Sequence, residues 1–279
     1  MRTLLPVLVL GMVACGGKPP VEAPSEISEL SAYLFENFSA ETDEELVAGA
    51  EQLLPFLKEH DFSAPTKDRT YALEPLQPSS WGAITGPDGQ DPADQIPVAV
   101  VGKSRHDLDA NRALAQETNH VCIESNTTVY YQREFLTDEK DFVNGDSATL
   151  ETLNEVRKES FVAKIWYDLY KDYRVVESED GDQYMFGRQW IDQAFDGDGG
   201  NNSFFQLYII EAWLPLKGGE TARWFAMYSA VQIGGVDDNF YASLVEQGIS
   251  EGYVNADNFI DGDLDKCSND RDYEPDPRE

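Results

Sequence analysis

Two dipeptides, Asp180-Gly181 and Gly218-Gly219, each set between runs of aromatic and β-branched residues, constrain the fold of this chain more than any other feature. Glycine takes a positive φ without steric cost, so such pairs close tight hairpins. The flanking runs predict strands at Gln183 to Ala194, Ser203 to Leu216 and Thr221 to Ile233, joined as an antiparallel meander. If Gly218 and Gly219 are the two central turn residues, Trp213 faces Trp224 and Glu211 faces Ala226. Glu211 then shares a face with both tryptophans, because side chains alternate along a strand.

Helical spacing marks the segment before the strands. Ile27, Leu30, Tyr33 and Leu34, then Leu46, Ala50, Leu53, Leu54 and Leu57, recur every three or four residues and predict two amphipathic helices over 27–60, joined near Ser39. Pro55 is expected to kink or shorten the second. The pair serves either as a partner-docking arm or as a hairpin packed on the main domain. Short strands are expected at Thr70 to Leu76 and Ile96 to Val101, a helix at Asp107 to Ala115 and a strand at Thr127 to Phe135. Asp146 to Glu159 reads as a helix, and Phe161 to Val176 fits helix or strand. After Gly235, Asp237 or Asp238 can cap a helix carrying Phe240, Tyr241, Leu244 and Val245 and ending at Gly248. The result is an α+β fold: an N-terminal helical hairpin, a curved antiparallel sheet with its meander near 183–233, and a C-terminal helix. This order of elements resembles that of helix-grip lipid-binding domains, a likeness that carries over no residue.

The N-terminus has a different character. Arg2 precedes an apolar run from Leu4 to Val13, and small residues stand beside Cys15. That layout is a cleaved export signal, and a run of about ten residues is half what a membrane span needs. Met12-Val13-Ala14-Cys15 resembles the lipobox of bacterial lipoproteins, with Met12 where Leu is commonest. The resemblance implies cleavage after residue 14, a lipid (palmitate among its acyl chains) on Cys15 and attachment to the membrane. Gly16 and Gly17 follow in place of the Asp that tends to retain such proteins on the inner membrane, which favours the outer membrane. An ordinary secretory signal is the alternative. Residues 15–26 then form a tether with a reach of roughly 35 to 40 Å. The expected layout is the signal at 1–14, the tether at 15–26, one α+β domain at 27–260 and an acidic tail at 261–279.

Charge excludes one class of partner. The chain holds 52 acidic against 21 basic residues, a net charge of −31, and losing Arg2 with the signal moves it to about −32. Such a field repels nucleic acid. With Cys15 lipidated, Cys122 and Cys267 remain as an even pair in an oxidising compartment, where a disulfide is the expected state. A metal site with His120 is the alternative, although it has few ligands.

The candidate sites are weakly marked. Arg188, Glu211 and Arg223 interrupt apolar strands, and an unpaired buried charge is costly, so they should pair or reach water. Around a curled sheet, Arg188 and Glu211 with Trp213 and Trp224 could orient a ligand. Asp261, Asp263, Asp265, Asn269 and Asp272 fall at positions one, three, five, nine and twelve of a loop resembling an EF-hand, which makes calcium the one candidate cofactor. Lys266 replaces the turn glycine there, and only seven residues follow Asp272. Asp196, Asp198, Asn201 and Asn202 form a second candidate loop. No nucleophile, zinc or phosphate-loop motif occurs, and His60, His106 and His120 read as surface or structural histidines. The sequence therefore favours a lipid-anchored, non-catalytic envelope protein that binds a protein partner or plays a structural part. A carrier or sensor of a hydrophobic molecule comes second, and a carboxylate-dependent hydrolase third.

Overall fold

The computed structural model of the chain describes residues 21–82, 84–161, 163–196, 202–264 and 267–268. The signal segment 1–14, Cys15, and the loop candidates Asp198, Asn201, Asp265, Asn269 and Asp272 lie outside them. Helix α1 (Ile27–Glu36), a 3₁₀ turn at Asn37–Ser39 and α2 (Glu44–Lys58) form the expected hairpin. Its apolar stripe, Leu30, Leu34, Leu46, Leu53 and Leu57, is fully buried against the sheet, each side chain worth about 1.5–3 kcal/mol of transfer free energy. Pro55 is accommodated inside α2, which runs three residues past it. It sits in the last turn, where a proline removes one hydrogen bond while Leu53 and Leu57 stay packed.

The sheet is antiparallel and open. In chain order its strands are β1 (Thr70–Ala72), β2 (Ile96–Ser104), β3 (Thr128–Phe135), β4 (Thr149–Glu159), β5 (Lys164–Glu177), β6 (Gln183–Trp190), β7 (Phe195–Asp196), β8 (Asn202–Pro215) and β9 (Thr221–Ile233). Their spatial order is β1-β2-β9-β8-β6-β5-β4-β3, with the short β7 paired to β8. Short helices α3 (Leu108–Ala113, capped by Asp107) and α4 (Glu139–Asn144) precede β3 and β4, and α5 (Asp238–Ile260) follows β9.

Four expectations change. Residues 149–159 are a strand, not a helix, because Leu150, Thr152, Asn154 and Val156 point to one buried face at a period of two. Thr152 and Asn154 fasten that strand by donating to the β5 carbonyls of Lys171 (2.9 Å) and Leu169 (2.8 Å). The ambiguous segment after it is β5. Helix α5 runs through Gly248 to Ile260, since Gly248 packs beside Ser125 and the later turns are held to the sheet by side chains described below.

The fourth change is the register. The β8–β9 hairpin closes through three residues, Lys217, Gly218 and Gly219, with Leu216 N donating to Glu220 O at 2.8 Å. Gly218 and Gly219 both adopt positive φ, 91° and 79°. The extra loop residue shifts the pairing by one, so Trp213 lies opposite Arg223, Ala212 opposite Trp224 and Glu211 opposite Phe225. A slip of one reverses the face each side chain takes. Trp224 therefore sits on the far face from Glu211 and Trp213.

With three-residue loops at both hairpins, paired residues of β5, β6, β8 and β9 share parity as far as a bulge between Phe204 and Gln206, before which β8 is shifted by one. Even-numbered side chains, among them Phe186, Tyr208, Ile210, Trp224 and Tyr228, form the core beneath α1 and α2. Odd-numbered ones lie on the opposite face, toward α5 around Ile209 and Met227 and toward α3 and α4 around Met185 and Trp213.

Candidate functional site

Between the odd face of the sheet and α5 lies a cavity of about 520 Å³. That is within the usual range of roughly 300–1,000 Å³ for sites holding a small molecule. Its walls are apolar. Tyr167 and Leu169 of β5, Leu207 and Ile209 of β8, and Phe225 and Met227 of β9 face Tyr241, Leu244 and Val245 of α5 across it. His120 and residues 123–127 of one loop, and residues 158–161 with Ala163, complete the lining. At the rim, the side chains of Glu124, Lys158 and Glu159 are 26–32% exposed and Phe161 is 84% exposed, 6.3 Å from the half-exposed Phe240.

The floor is polar and buried. Lys171 and Glu211, whose side chains are 8% and 10% exposed, pair at 3.1 Å. Gln189 donates to the same carboxylate oxygen, Oε1. Burial pushes the Glu211 carboxyl up, against the opposing pull of Lys171. Arg223, also lining the cavity, pairs with Asp257 of α5 at 3.3 Å and donates to Asn111 Oδ1.

Behind the wall formed by His120 and Tyr173 lies Arg133 of β3, 3% exposed. Its Nε donates to Asn154 Oδ1 (2.8 Å). One terminal nitrogen donates to Ala115 O (2.8 Å) and lies 3.1 Å from His120 Nε2, which is itself 3.0 Å from Leu114 O; the other donates to the hydroxyls of Tyr131 (2.8 Å) and Tyr173 (3.3 Å). Among the described residues no carboxylate pairs with it. His120 stacks on Tyr131 and is held neutral by burial and by this guanidinium, as a structural histidine.

Helix α5 is fixed mainly at its C-terminal half. Asp257 accepts from Ser104 Oγ (2.6 Å) and Arg105 N (3.1 Å), and Asn255 donates to Glu124 O (2.8 Å). The Tyr253 ring packs directly against Gly102, where a Cβ would come within 2.1 Å of it. The disulfide Cys122–Cys267 joins the cavity loop to the segment after α5, with Cα atoms 5.3 Å apart. Toward the N-terminal half, Tyr241 meets Ser229 at 3.0 Å.

Of the ligand residues expected from sequence, Glu211 and Trp213 line the cavity. Arg188 and Trp224 do not, since both are even-numbered. Arg188 lies under α1 and the 3₁₀ turn, against the rings of Phe38 and Trp190 and 3.2 Å from Asp172. Trp224 meets Phe56 and Tyr71 in the helix-side core. Lys171, Gln189 and Arg133 went unnoticed in the sequence, although Lys171 within YDLYKDY is the same kind of charge among aromatics that marked Glu211.

Of the calcium candidate, only Asp261 and Asp263 are among the described residues. Asp261 pairs with Arg105 and His106, the latter at 3.2 Å, while Asp263 is exposed. In the second loop, buried Asn202 accepts from Gly234 N. Among the described residues no three His, Cys, Asp or Glu side chains are grouped to hold a metal ion, and no helix is long and apolar enough to cross a membrane.

No family model and no curated protein matches the chain. Three solved structures share features of its shape. A STAR-related lipid transfer protein from Xanthomonas axonopodis is 10% identical, covering 59% of this chain and 85% of its own, with a TM-score of 0.42. A START superfamily protein from Mycobacterium smegmatis is 9% identical, covering 60% and 99%, with a TM-score of 0.38. Human StAR-related lipid transfer protein 5 is also 9% identical, covering 60% and 76%, with a TM-score of 0.36. At these values they lend neither a residue nor a ligand to this chain.

Proposed function

We propose that this protein is a carrier or sensor of one hydrophobic small molecule, held between the odd face of its sheet and α5, and that a lipid on Cys15 keeps it on the bacterial envelope. The observation that carries the reading is the cavity itself: apolar on its walls, polar on its floor and about 520 Å³ in volume. Interiors are close-packed, and a space of this size costs the molecule dispersion contacts and burial that a guest would restore. An apolar guest contributes about 0.8 kcal/mol for each methylene taken from water. The cavity favours this reading over the protein-partner or structural role that the sequence alone favours. It also weighs against a hydrolase, because the buried floor carboxylate, Glu211, is committed to Lys171 and Gln189.

The attachment rests on the sequence from Met1 to Cys15, and Gly16 and Gly17 after the cysteine favour the outer membrane. Cys15→Ser is expected to move the protein from the membrane fraction to the soluble one.

Native mass spectrometry of the protein extracted in mild detergent tests the carrier function. One lipid-soluble molecule per chain, lost when Ile209→Trp fills the cavity, is the expected result. A bare mass, with no uptake of an added apolar fluorophore, would overturn it.

A further inference from the structure

We propose that the cavity takes an amphiphile with a single carboxylate head, seated head-inward against Lys171, with its apolar chain running toward Phe161. The inference rests on the carrier reading and adds the class of ligand.

Its first support is the charge balance of the floor and of the layer behind the wall. Three buried cations, Lys171, Arg223 and Arg133, stand against two carboxylates. Glu211 answers Lys171 and Asp257 answers Arg223, while among the described residues the acceptors around Arg133 are all neutral. A guanidinium remains charged when buried, so one positive charge stands uncompensated behind the cavity wall, where water screens it poorly. A guest anion would supply the missing charge, whereas a neutral hydroxyl head would leave it as it is.

The second support is Lys171. Its ammonium lines the cavity, and of its three donors one reaches Glu211. Two donors remain for a guest. Glu211 limits the head to one charge, because a doubly charged phosphate beside it would meet repulsion.

Orientation follows from the rim, where Glu124 is answered by Lys158 and Glu159 by Arg157 and Lys164, and where the exposed Phe161 suits the end of an apolar chain.

The test uses cis-parinaric acid, a fluorescent polyene fatty acid, and its methyl ester, each titrated into the full-length protein at neutral pH. The acid is expected to bind at least about tenfold more tightly than the ester, the scale of a charge-assisted hydrogen bond. Lys171→Met should abolish that preference and leave ester affinity within about threefold. Glu211→Gln should tighten the acid and not the ester. Equal affinity of the two probes for the native protein would overturn the carboxylate head while leaving the carrier reading intact. If neither probe binds, both readings fall. Should near-ultraviolet circular dichroism show Lys171→Met to be misfolded, Glu211→Gln decides, and acid binding no tighter than native overturns the proposal.

Discussion

Asp172 and Arg188, on the face away from the cavity, show what burial does to a pair of opposite charges. They meet at 3.2 Å under the 3₁₀ turn after α1, yet burial pushes the Asp172 carboxyl up to about 6 and the guanidinium down. Desolvation thus outweighs attraction for both partners. An acid that holds its proton more tightly folded than unfolded contributes most when protonated. Its contribution is full below about pH 4 and is lost as the pH rises through about 6. Urea unfolding of the native protein and of Asp172→Asn across that window should show the native advantage falling by up to about 3 kcal/mol. A constant difference would refute the assignment. The two tryptophans divide in the same way. Trp224→Ala should cost about 3–5 kcal/mol of stability and leave probe affinity unchanged, whereas Trp213→Ala should alter affinity, because only Trp213 lines the cavity. Matched probe titrations and thermal melts of both variants check this.

At the scale of elements, α5 is a roof fastened at one end. Asp257, Asn255 and the Tyr253–Gly102 contact hold its C-terminal half, and Cys122–Cys267 anchors the segment beyond it. The bridge spans 145 residues, and in the chain-entropy model closing so long a loop is worth on the order of 4 to 5 kcal/mol. Reduction, or Cys122→Ser with Cys267→Ser, should lower the melting temperature and speed release of a bound probe. Unchanged release would mean that the bridge stabilises the fold without governing the roof. The hairpins show why loop length matters: one additional residue between β8 and β9 assigns every side chain of a strand to the opposite face.

For the whole molecule, a net charge of −31 sets a field that opposes compaction. Added sodium chloride should therefore raise the melting temperature steadily as the screening length falls from about 30 Å at 0.01 M to about 10 Å at 0.1 M. Differential scanning calorimetry at constant pH checks this, and a flat response would show that the surface charges already sit among compensating partners.

What the sequence determined by itself is local. The helix stripes of α1 and α2, the strands on either side of Gly218-Gly219, the Asp237 cap and the Cys122–Cys267 pair follow from spacing, turn chemistry and redox compartment, which neighbouring residues carry. Tertiary structure decided the rest. Leu150 to Val156 became a strand because β3 and β5 lie on either side to accept its hydrogen bonds. Gly248 does not end α5, because contacts with Ser104, Gly102 and Glu124 hold the turns beyond it. The cavity floor gathers Lys171, Gln189, Glu211 and Arg223 from four strands, with Arg133 of a fifth behind the wall. No period within one strand encodes that meeting, since it depends on the register between strands and on the loop lengths that set it.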